Sequence, residues 1–309
     1  MDRLRVGVIG VGSMGRHHAR VYSENHSVEF VGVSDVDKAV AEAVATKCRA
    51  RAFTDYRSLL DEGVDAVSIA VPTTFHREVA LEAMGRGVHV LVEKPIADTI
   101  AAGREIISKA KEKGVVLMVG HIERFNPIIP VIKKSIEGQK VISISITRVG
   151  PLPPRVKDVG VVVDIGVHDI DIIRHLTGSE YKSIYPLVES NIAAKEDIAM
   201  LSFVMENGVL AHITTDWLTP YKVREISVST KEKFIRGNFI TQKVTEYSSW
   251  KDSSYIVKDL FVPFGEPLAL EIRSFLNSVA TGAPVQVTGE DSLKALEIAL
   301  ACLKPSKQK

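Results

Sequence analysis

The sequence predicts an α/β protein in which a doubly wound parallel sheet precedes an α+β domain with a mostly antiparallel sheet. Three observations support this. Short apolar runs alternate with amphipathic stretches over the first 120 residues, a glycine-rich turn follows the first of these runs, and strict two-residue alternation begins only near residue 141. The expected domains are residues 1–120 and residues 121–309.

Five short apolar runs in the first half are typical of buried strands, and glycines mark the turns beside the helical stretches between them. Strands and helices that alternate in this way form right-handed βαβ units and a parallel sheet. The predicted strands are Arg5–Ile9, Val28–Ser34, Ala66–Ala70, His89–Val92 and Val115–Val119, and the clearest helices are His76–Arg86 and Ala101–Lys113.

The second half begins with a run in which isoleucines face one side and Ser or Thr the other, between Val141 and Val149. Hairpin-joined strands of this kind predict a mostly antiparallel sheet. Its Ser/Thr face suits packing on a second subunit, giving a homodimer or homotetramer through the C-terminal sheet, although a solvated face is an equal alternative. The other predicted elements are strands at Met200–Met205, Val209–Thr215 and Arg224–Thr230, and helices at Pro267–Thr281 and Asp291–Leu303.

Composition narrows the class of protein. The chain has 309 residues, of which 45% are hydrophobic and 25% charged, as in ordinary globular proteins with a full core. A net charge of +1 gives no indication of nucleic acid or an anionic membrane as a partner. Cys48 and Cys302 are far apart and lack metal-ligand spacing. No apolar run is long enough to span a membrane, so we expect a cytoplasmic protein with a small-molecule partner.

The glycine turn after the first strand carries the most specific signal. Gly10 permits a tight turn, Gly12 lets the backbone approach a pyrophosphate, and Gly15 lets the following helix pack on the strand. The helix N-terminus then directs unpaired N–H groups at the phosphates. This predicts a Rossmann domain that binds a dinucleotide through Gly10, Gly12, Ser13, Met14 and Gly15.

Asp35 indicates which dinucleotide is bound. It follows the second strand, about 20 residues beyond Gly15, where a carboxylate accepts hydrogen bonds from ribose hydroxyls and repels a 2′-phosphate. NAD is therefore favoured over NADP as the cofactor. The alternative is that Asp35 only caps a turn.

Lys94 follows the fourth predicted strand, at the carboxyl end where open α/β sheets bind ligands. Pro95 restricts the backbone of Lys94 and holds the amine in one place. A surface lysine beside a turn is the alternative.

Residues 160–175 form a predicted helix with one polar stripe, made by Asp164, His168, Asp171 and His175. Asp164 and His168 lie one turn apart, where they can share a proton or hold a metal ion. The alternative is that this polar stripe is simply a solvent-exposed face of the helix.

Arg124 and Asn126 follow the fifth strand, where the chain leaves the first domain, and domain junctions often hold substrates. A salt bridge that joins the domains is an equal alternative for these residues.

Together these segments resemble the glucose-fructose oxidoreductase / inositol dehydrogenase / MocA (Gfo/Idh/MocA) family. The resemblance is carried by the glycine turn, Val71-Pro72-x-x-x-His76, Glu93-Lys94-Pro95, Arg124-Phe125-Asn126-Pro127 and Asp164-x-x-x-His168. It implies a catalytic group of Lys94, Asp164 and His168, with no metal. It also places Val71, Pro72, His76, Glu93 and Lys94 with the glycine turn at the NAD site.

A narrower resemblance, to the branch of this family that oxidises C3 of UDP-N-acetylglucosamine to a ketone, is carried by residues 148–171 and 217–224. It implies a UDP-sugar substrate. Cations in these segments suit a diphosphate and aromatic rings suit a sugar or a base. The substrate-binding residues predicted on this basis, with those of the domain junction, are Arg124, Asn126, Arg155, Lys157, Trp217, Tyr221 and Arg224.

In the mechanism expected from this resemblance, His168 accepts the hydroxyl proton, Asp164 orients its ring, and Lys94 hydrogen-bonds the same oxygen. Either Lys94 or His168 can be the base. Two other functions stay open: oxidation of a free polyol or hexose such as inositol, and a non-catalytic NAD-binding sensor on the same fold.

Overall fold

The computed structural model describes residues 3–153, 159–252 and 254–304. Contacts divide the chain into two units, Met1–Ile122 with Glu266–Lys294 and Glu123–Gly265 with Ala295–Lys309. Within the described ranges, no helix combines the length and apolarity needed to cross a membrane.

The first unit is built on a parallel sheet in which every strand but one short edge strand is a nearly continuous run of largely buried apolar residues. Its elements up to residue 122 are β1 (Leu4–Ile9), α1 (Gly15–Glu24), β2 (Val28–Ser34), α2 (Lys38–Cys48), β3 (Arg51–Phe53), α3 (Tyr56–Asp61), β4 (Ala66–Ile69), α4 (His76–Gly85), β5 (His89–Glu93), α5 (Ile100–Lys113) and β6 (Leu117–Gly120). The six strands lie in the order β3-β2-β1-β4-β5-β6. The five predicted strands and both helices are present, with ends shifted by a few residues. β3 was not predicted because its three residues are exposed or half-buried and show no apolar run.

The second unit carries a larger sheet with helices on one face. Its elements are α6 (Ile128–Ser135), β7 (Val141–Pro151), a π-helical turn (Val162–Gly166) that leads into α7 (Val167–Thr177), β8 (Tyr181–Glu189), β9 (Ile198–Met205), β10 (Leu210–Asp216), β11 (Leu218–Thr230), β12 (Lys233–Asn238), β13 (Lys243–Lys251) and β14 (Ser254–Leu260). The eight strands lie in the order β14-β13-β12-β11-β7-β10-β9-β8. All neighbours are antiparallel except β7 and β10, which run parallel. The predicted fold class is confirmed.

The two faces of this sheet differ as the alternation in β7 predicts. Ile144 and Ile146 face a core that includes residues of α6 and α7, and Arg148 lies on the same buried face. On the other face, Tyr185 and Leu187 of β8 are largely exposed.

Two helices close the described chain, α8 (Pro267–Thr281) and α9 (Gly289–Cys302). Their extents agree with prediction, but the prediction of two contiguous domains does not match the contacts, because α8 packs on α1 of the first unit. The backbone N–H of Val119 also donates to the carbonyl of Val287, 3.3 Å away. Along the chain, the first change from one unit to the other falls between Ile122 and Glu123.

Candidate functional site

The three glycines of the turn after β1 meet three different constraints. Gly10 has a φ of +81°, which side chains other than glycine rarely adopt. A Cβ on Gly15 would lie 1.8 Å from the carbonyl oxygen of Gly10, so α1 can pack this closely only with glycine at that position. A Cβ on Gly12 would have no neighbour within 4 Å, which leaves open space for the pyrophosphate. The turn therefore fits the dinucleotide that its sequence predicts.

Asp35 is tied into the same turn. One of its carboxylate oxygens accepts the backbone N–H of Val11 at 2.9 Å, and the other accepts that of Asp37 at 3.0 Å. The carboxylate is thus fixed beside the glycine turn, and each oxygen keeps a second lone pair for a ribose hydroxyl. The first turn of α1 contains no acidic residue, so its partial positive charge is not neutralised.

We expect substitutions at Gly12 and Gly15 to separate cofactor binding from folding. Gly15→Ala makes a methyl group clash with the carbonyl oxygen of Gly10 and should lower the free energy of unfolding by about 3 kcal/mol or more. Gly12→Ala should fold normally but weaken NAD binding by at least about tenfold, or about 1.4 kcal/mol. Thermal unfolding and NAD titration of both variants measure the two effects. Unchanged NAD affinity in Gly12→Ala would contradict the assigned role of Gly12.

The ends of β4 and β5 place the next predicted residues. Lys94 is half-buried directly after β5, and the buried imidazole of His76 links the two strand ends, with Nδ1 3.0 Å from the Pro95 carbonyl and Nε2 3.0 Å from the Val71 carbonyl. Glu93 differs from its predicted place at the cofactor. Its side chain is buried, with Oε1 2.8 Å from Nε2 of His18, because an imidazole on α1 offers it a partner in the interior.

The predicted helix over residues 160–175 begins with a π-helical turn, and both of its proposed catalytic side chains are largely buried. Asp164 and His168 are 5% and 8% exposed. The turn starts where Val161 donates its N–H to the Glu196 carbonyl at 2.8 Å. A Cβ at Gly160 would lie 2.0 Å from the Glu196 carboxylate, so a larger residue at 160 would require that side chain to move. π-Helical turns are frequent at functional sites.

A buried ion-pair network that the sequence did not predict lies next to His168. Arg148 of β7 donates from Nε to Asp169 at 2.8 Å and from Nη1 to Glu123 at 2.6 Å. Its guanidinium also lies 4.9 Å from the centre of the Phe239 ring. Burial by itself lowers the pKa of Arg148, but the two carboxylates outweigh it and the pKa is raised. Because Asp169 follows His168 directly, this network fixes the start of α7 against β7.

Arg224 is a predicted substrate-binding cation that lies within the described residues and stays partly exposed. Its Nη1 lies 3.5 Å from Glu123, and its side chain is 28% exposed. Burial and the neighbouring Arg148 lower its pKa, while carboxylates that include Asp164 act in the opposite direction. Tyr221 is largely exposed on β11. Arg155 and Lys157 lie outside the described residues.

Three predicted substrate residues are instead engaged inside the second unit. Arg124 forms a two-point ion pair with Asp171, with both contacts at 2.6 Å. Asn126 is buried and donates from its amide to the Phe239 carbonyl at 3.0 Å. Trp217 is 2% exposed within the apolar core. All three side chains are buried and contact other parts of the second unit, and their role in substrate binding stays a prediction.

Two family models match the chain. The model of an oxidoreductase family with an NAD-binding Rossmann fold (GFO_IDH_MocA) matches residues 4–121, and that of the GFO/IDH/MocA C-terminal domain matches residues 142–236.

Individual relatives match over nearly the whole chain. The UDP-N-acetylglucosamine 3-dehydrogenase of Acidithiobacillus ferrooxidans is 32% identical over 307 residues, which cover 97% of this chain and 96% of that one. A solved structure of the same enzyme superposes with a TM-score of 0.91 at 31% identity, covering 98% of this chain and 97% of the other. The scyllo-inositol 2-dehydrogenase (NAD⁺) of Bacillus subtilis is 28% identical over 319 residues, covering 97% and 93% of the two chains.

Proposed function

The chain belongs to the GFO/IDH/MocA family of NAD-binding oxidoreductases, and we propose that it oxidises the C3 hydroxyl of UDP-N-acetylglucosamine to a ketone. The observation that carries this proposal is the similarity, over nearly the full length of both chains, to an enzyme named for that reaction. Arg224 supports an anionic substrate, since its partly exposed guanidinium can donate to a diphosphate, a group that an inositol lacks.

Oxidation of an inositol is the second candidate, because inositol dehydrogenases are 28% identical to this chain over almost its whole length. The two candidates use the same type of chemistry and differ in the charge and size of the substrate. They are therefore separated by substrate preference.

In the proposed reaction, NAD supplies a nicotinamide ring that accepts the hydride. The glycine turn and the N-terminus of α1 bind the pyrophosphate, and Asp35 accepts hydrogen bonds from the ribose. His168 accepts the proton of the substrate hydroxyl, and Asp164 orients the imidazole and stabilises its charged form. Lys94 donates a hydrogen bond to the hydroxyl oxygen and is the alternative base.

The proposal predicts that NADH forms with UDP-N-acetylglucosamine and not with myo-inositol, scyllo-inositol or glucose. Absorbance at 340 nm follows the reaction, with hydroxylamine added to trap the ketone because the oxidation can be uphill. The Lys94→Ala variant is the matched blank for each substrate.

Turnover of an inositol alone would replace the proposed substrate by the second candidate. Tight NAD binding without turnover of any of these compounds would instead favour a sensor.

A further inference from the structure

A cluster of three titratable side chains lies inside the first unit, at the end of β5 that precedes Lys94. We call His18 of α1, Glu93 of β5 and Glu271 of α8 the buried triad. Each offers one ligand or proton-binding atom, and these atoms lie within 4.8 Å of one another. His18 and Glu271 are 1% and 0% exposed, so water cannot stabilise a charge on either side chain.

The hydrogen bonds around His18 fit a tautomer that carries its hydrogen on Nε2. The Tyr22 hydroxyl lies 2.9 Å from Oγ of Ser68, and Oγ of Ser68 lies 3.1 Å from Nδ1 of His18. If Tyr22 donates to Ser68 and Ser68 donates to Nδ1, then Nε2 carries the hydrogen and donates to Glu93. Each donor in this chain then has an acceptor. Nε2 is left without a lone pair for a metal ion.

Glu93 is held in its charged form by this arrangement. One oxygen receives the His18 Nε2–H at 2.8 Å, and the other accepts the backbone N–H of Lys94 at 3.2 Å. Burial by itself raises the pKa of Glu93, but the hydrogen bond from His18 and the nearby positive charge of Lys94 help to lower it overall.

Glu271 has the opposite character. Among the described residues, neither of its carboxylate oxygens has a hydrogen-bond partner, although both are fully buried. The charged and titratable groups that face it are Glu93 from β5 and His18 and Tyr22 from α1. Burial, followed by repulsion from Glu93, raises its pKa well above the ordinary value for glutamate. Two buried carboxylates this close cannot both be charged at low cost.

We propose that Glu271 is a protonated positioning residue that directs its O–H to the Glu93 carboxylate, so that the buried triad fixes the backbone that presents Lys94. The proton is shared by two carboxyl groups, as in other close carboxyl pairs. Glu93 then accepts from Glu271, from His18 and from the backbone of Lys94. The part of this inference that concerns turnover rests on the proposed function of Lys94.

The protonation of Glu271 is tested by folding stability, which does not require activity. A carboxyl group whose pKa is raised on folding stabilises the protein fully only below the pKa of the unfolded chain, about 4.3, and this contribution is lost as the pH rises. Glu271→Gln keeps an uncharged donor and removes this titration. Relative to wild type, its folding equilibrium constant should therefore increase with pH, by up to about tenfold per unit above pH 4.3.

The matched control is Glu290→Gln at the start of α9. The pKa of Glu290 is lowered, first by its hydrogen bond to Lys111, so its charged form stabilises the fold above about pH 4.3. Glu290→Gln should therefore be less stable than wild type throughout the pH range of the test. Urea unfolding of the three proteins between pH 4.5 and 8.5, with metal analysis of each, gives the comparison. A difference between wild type and Glu271→Gln that is independent of pH would overturn the proposal. So would a stoichiometric metal ion that is present in wild type and lost in Glu271→Gln.

The positioning role is tested by turnover. Glu271→Ala should lower kcat about tenfold with little change in NAD affinity, and Glu271→Gln should restore most of it because it can still donate to Glu93. Equal kcat in wild type and Glu271→Ala would refute the positioning role. If the wild type itself shows no turnover, the proposed function fails, while the pH dependence of stability still tests the proton on Glu271.

Discussion

Replacing either Lys94 or His168 by alanine is expected to lower turnover by about 10²–10⁴-fold while the protein still folds and binds NAD. The physical reason is that the hydroxyl proton must leave as the hydride does, and a positioned side chain that accepts or stabilises it supplies this factor. The measurement is kcat with the preferred substrate, accompanied by NAD titration and thermal unfolding of each variant.

Two controls match these substitutions. His175→Ala removes a second histidine from α7, one that the helical stripe also singled out, and Lys113→Ala removes an exposed lysine at the end of α5. Both should keep turnover close to the wild-type value. If both Lys94→Ala and His168→Ala also stay within a few-fold of wild type, neither residue acts as the proposed acid–base group.

Arg148→Met is expected to destabilise the second unit by about 3–5 kcal/mol. Methionine fills much of the volume of arginine but leaves the carboxylates of Asp169 and Glu123 without their shared cation, and Asp169 is 0% exposed. Removing one partner of a buried ion pair is strongly destabilising because the remaining charge stays in a low-dielectric interior.

Urea unfolding followed by tryptophan fluorescence isolates this effect. Both tryptophans of the chain, Trp217 and Trp250, belong to the second unit, and the first of them is buried. Arg224→Met is the matched control, since Arg224 is a more exposed cation on the same Glu123 and its loss should cost only about 1 kcal/mol. Equal losses in the two variants would show that Arg148 is not the main partner of these carboxylates.

Local pattern was sufficient to predict most of the architecture, because long strands and helices carry their own periodicity. β2 and α8 begin and end at the predicted residues. β3 escaped prediction because a three-residue edge strand with exposed side chains has no apolar run to detect. The return of α8 to the first unit also escaped prediction, since the face of a helix does not reveal which sheet it covers.

The residues of the candidate site also include some whose roles are visible in the sequence and others whose roles are not. The roles of Gly10, Gly12 and Gly15 follow from backbone geometry and are visible in the spacing of the motif. The inward turn of Glu93 and the ion pairs of Arg124 and Arg148 depend on partners distant in sequence. A carboxylate or an arginine in a motif has the same appearance whether it faces a ligand or the interior, so pattern alone cannot separate these roles.

The return of α8 also orders the events of synthesis. When residue 122 has left the ribosome, all six strands of the parallel sheet exist, but the helix that packs on α1 does not. At about 5–20 residues per second, translation reaches Glu266 roughly 7–30 s later. During this interval, His18 and Glu93 are present without Glu271, and residues 123–265 are synthesised and can begin to fold. The unit that carries the glycine turn is thus begun first but completed only after residues 123–265 of the other unit have been synthesised.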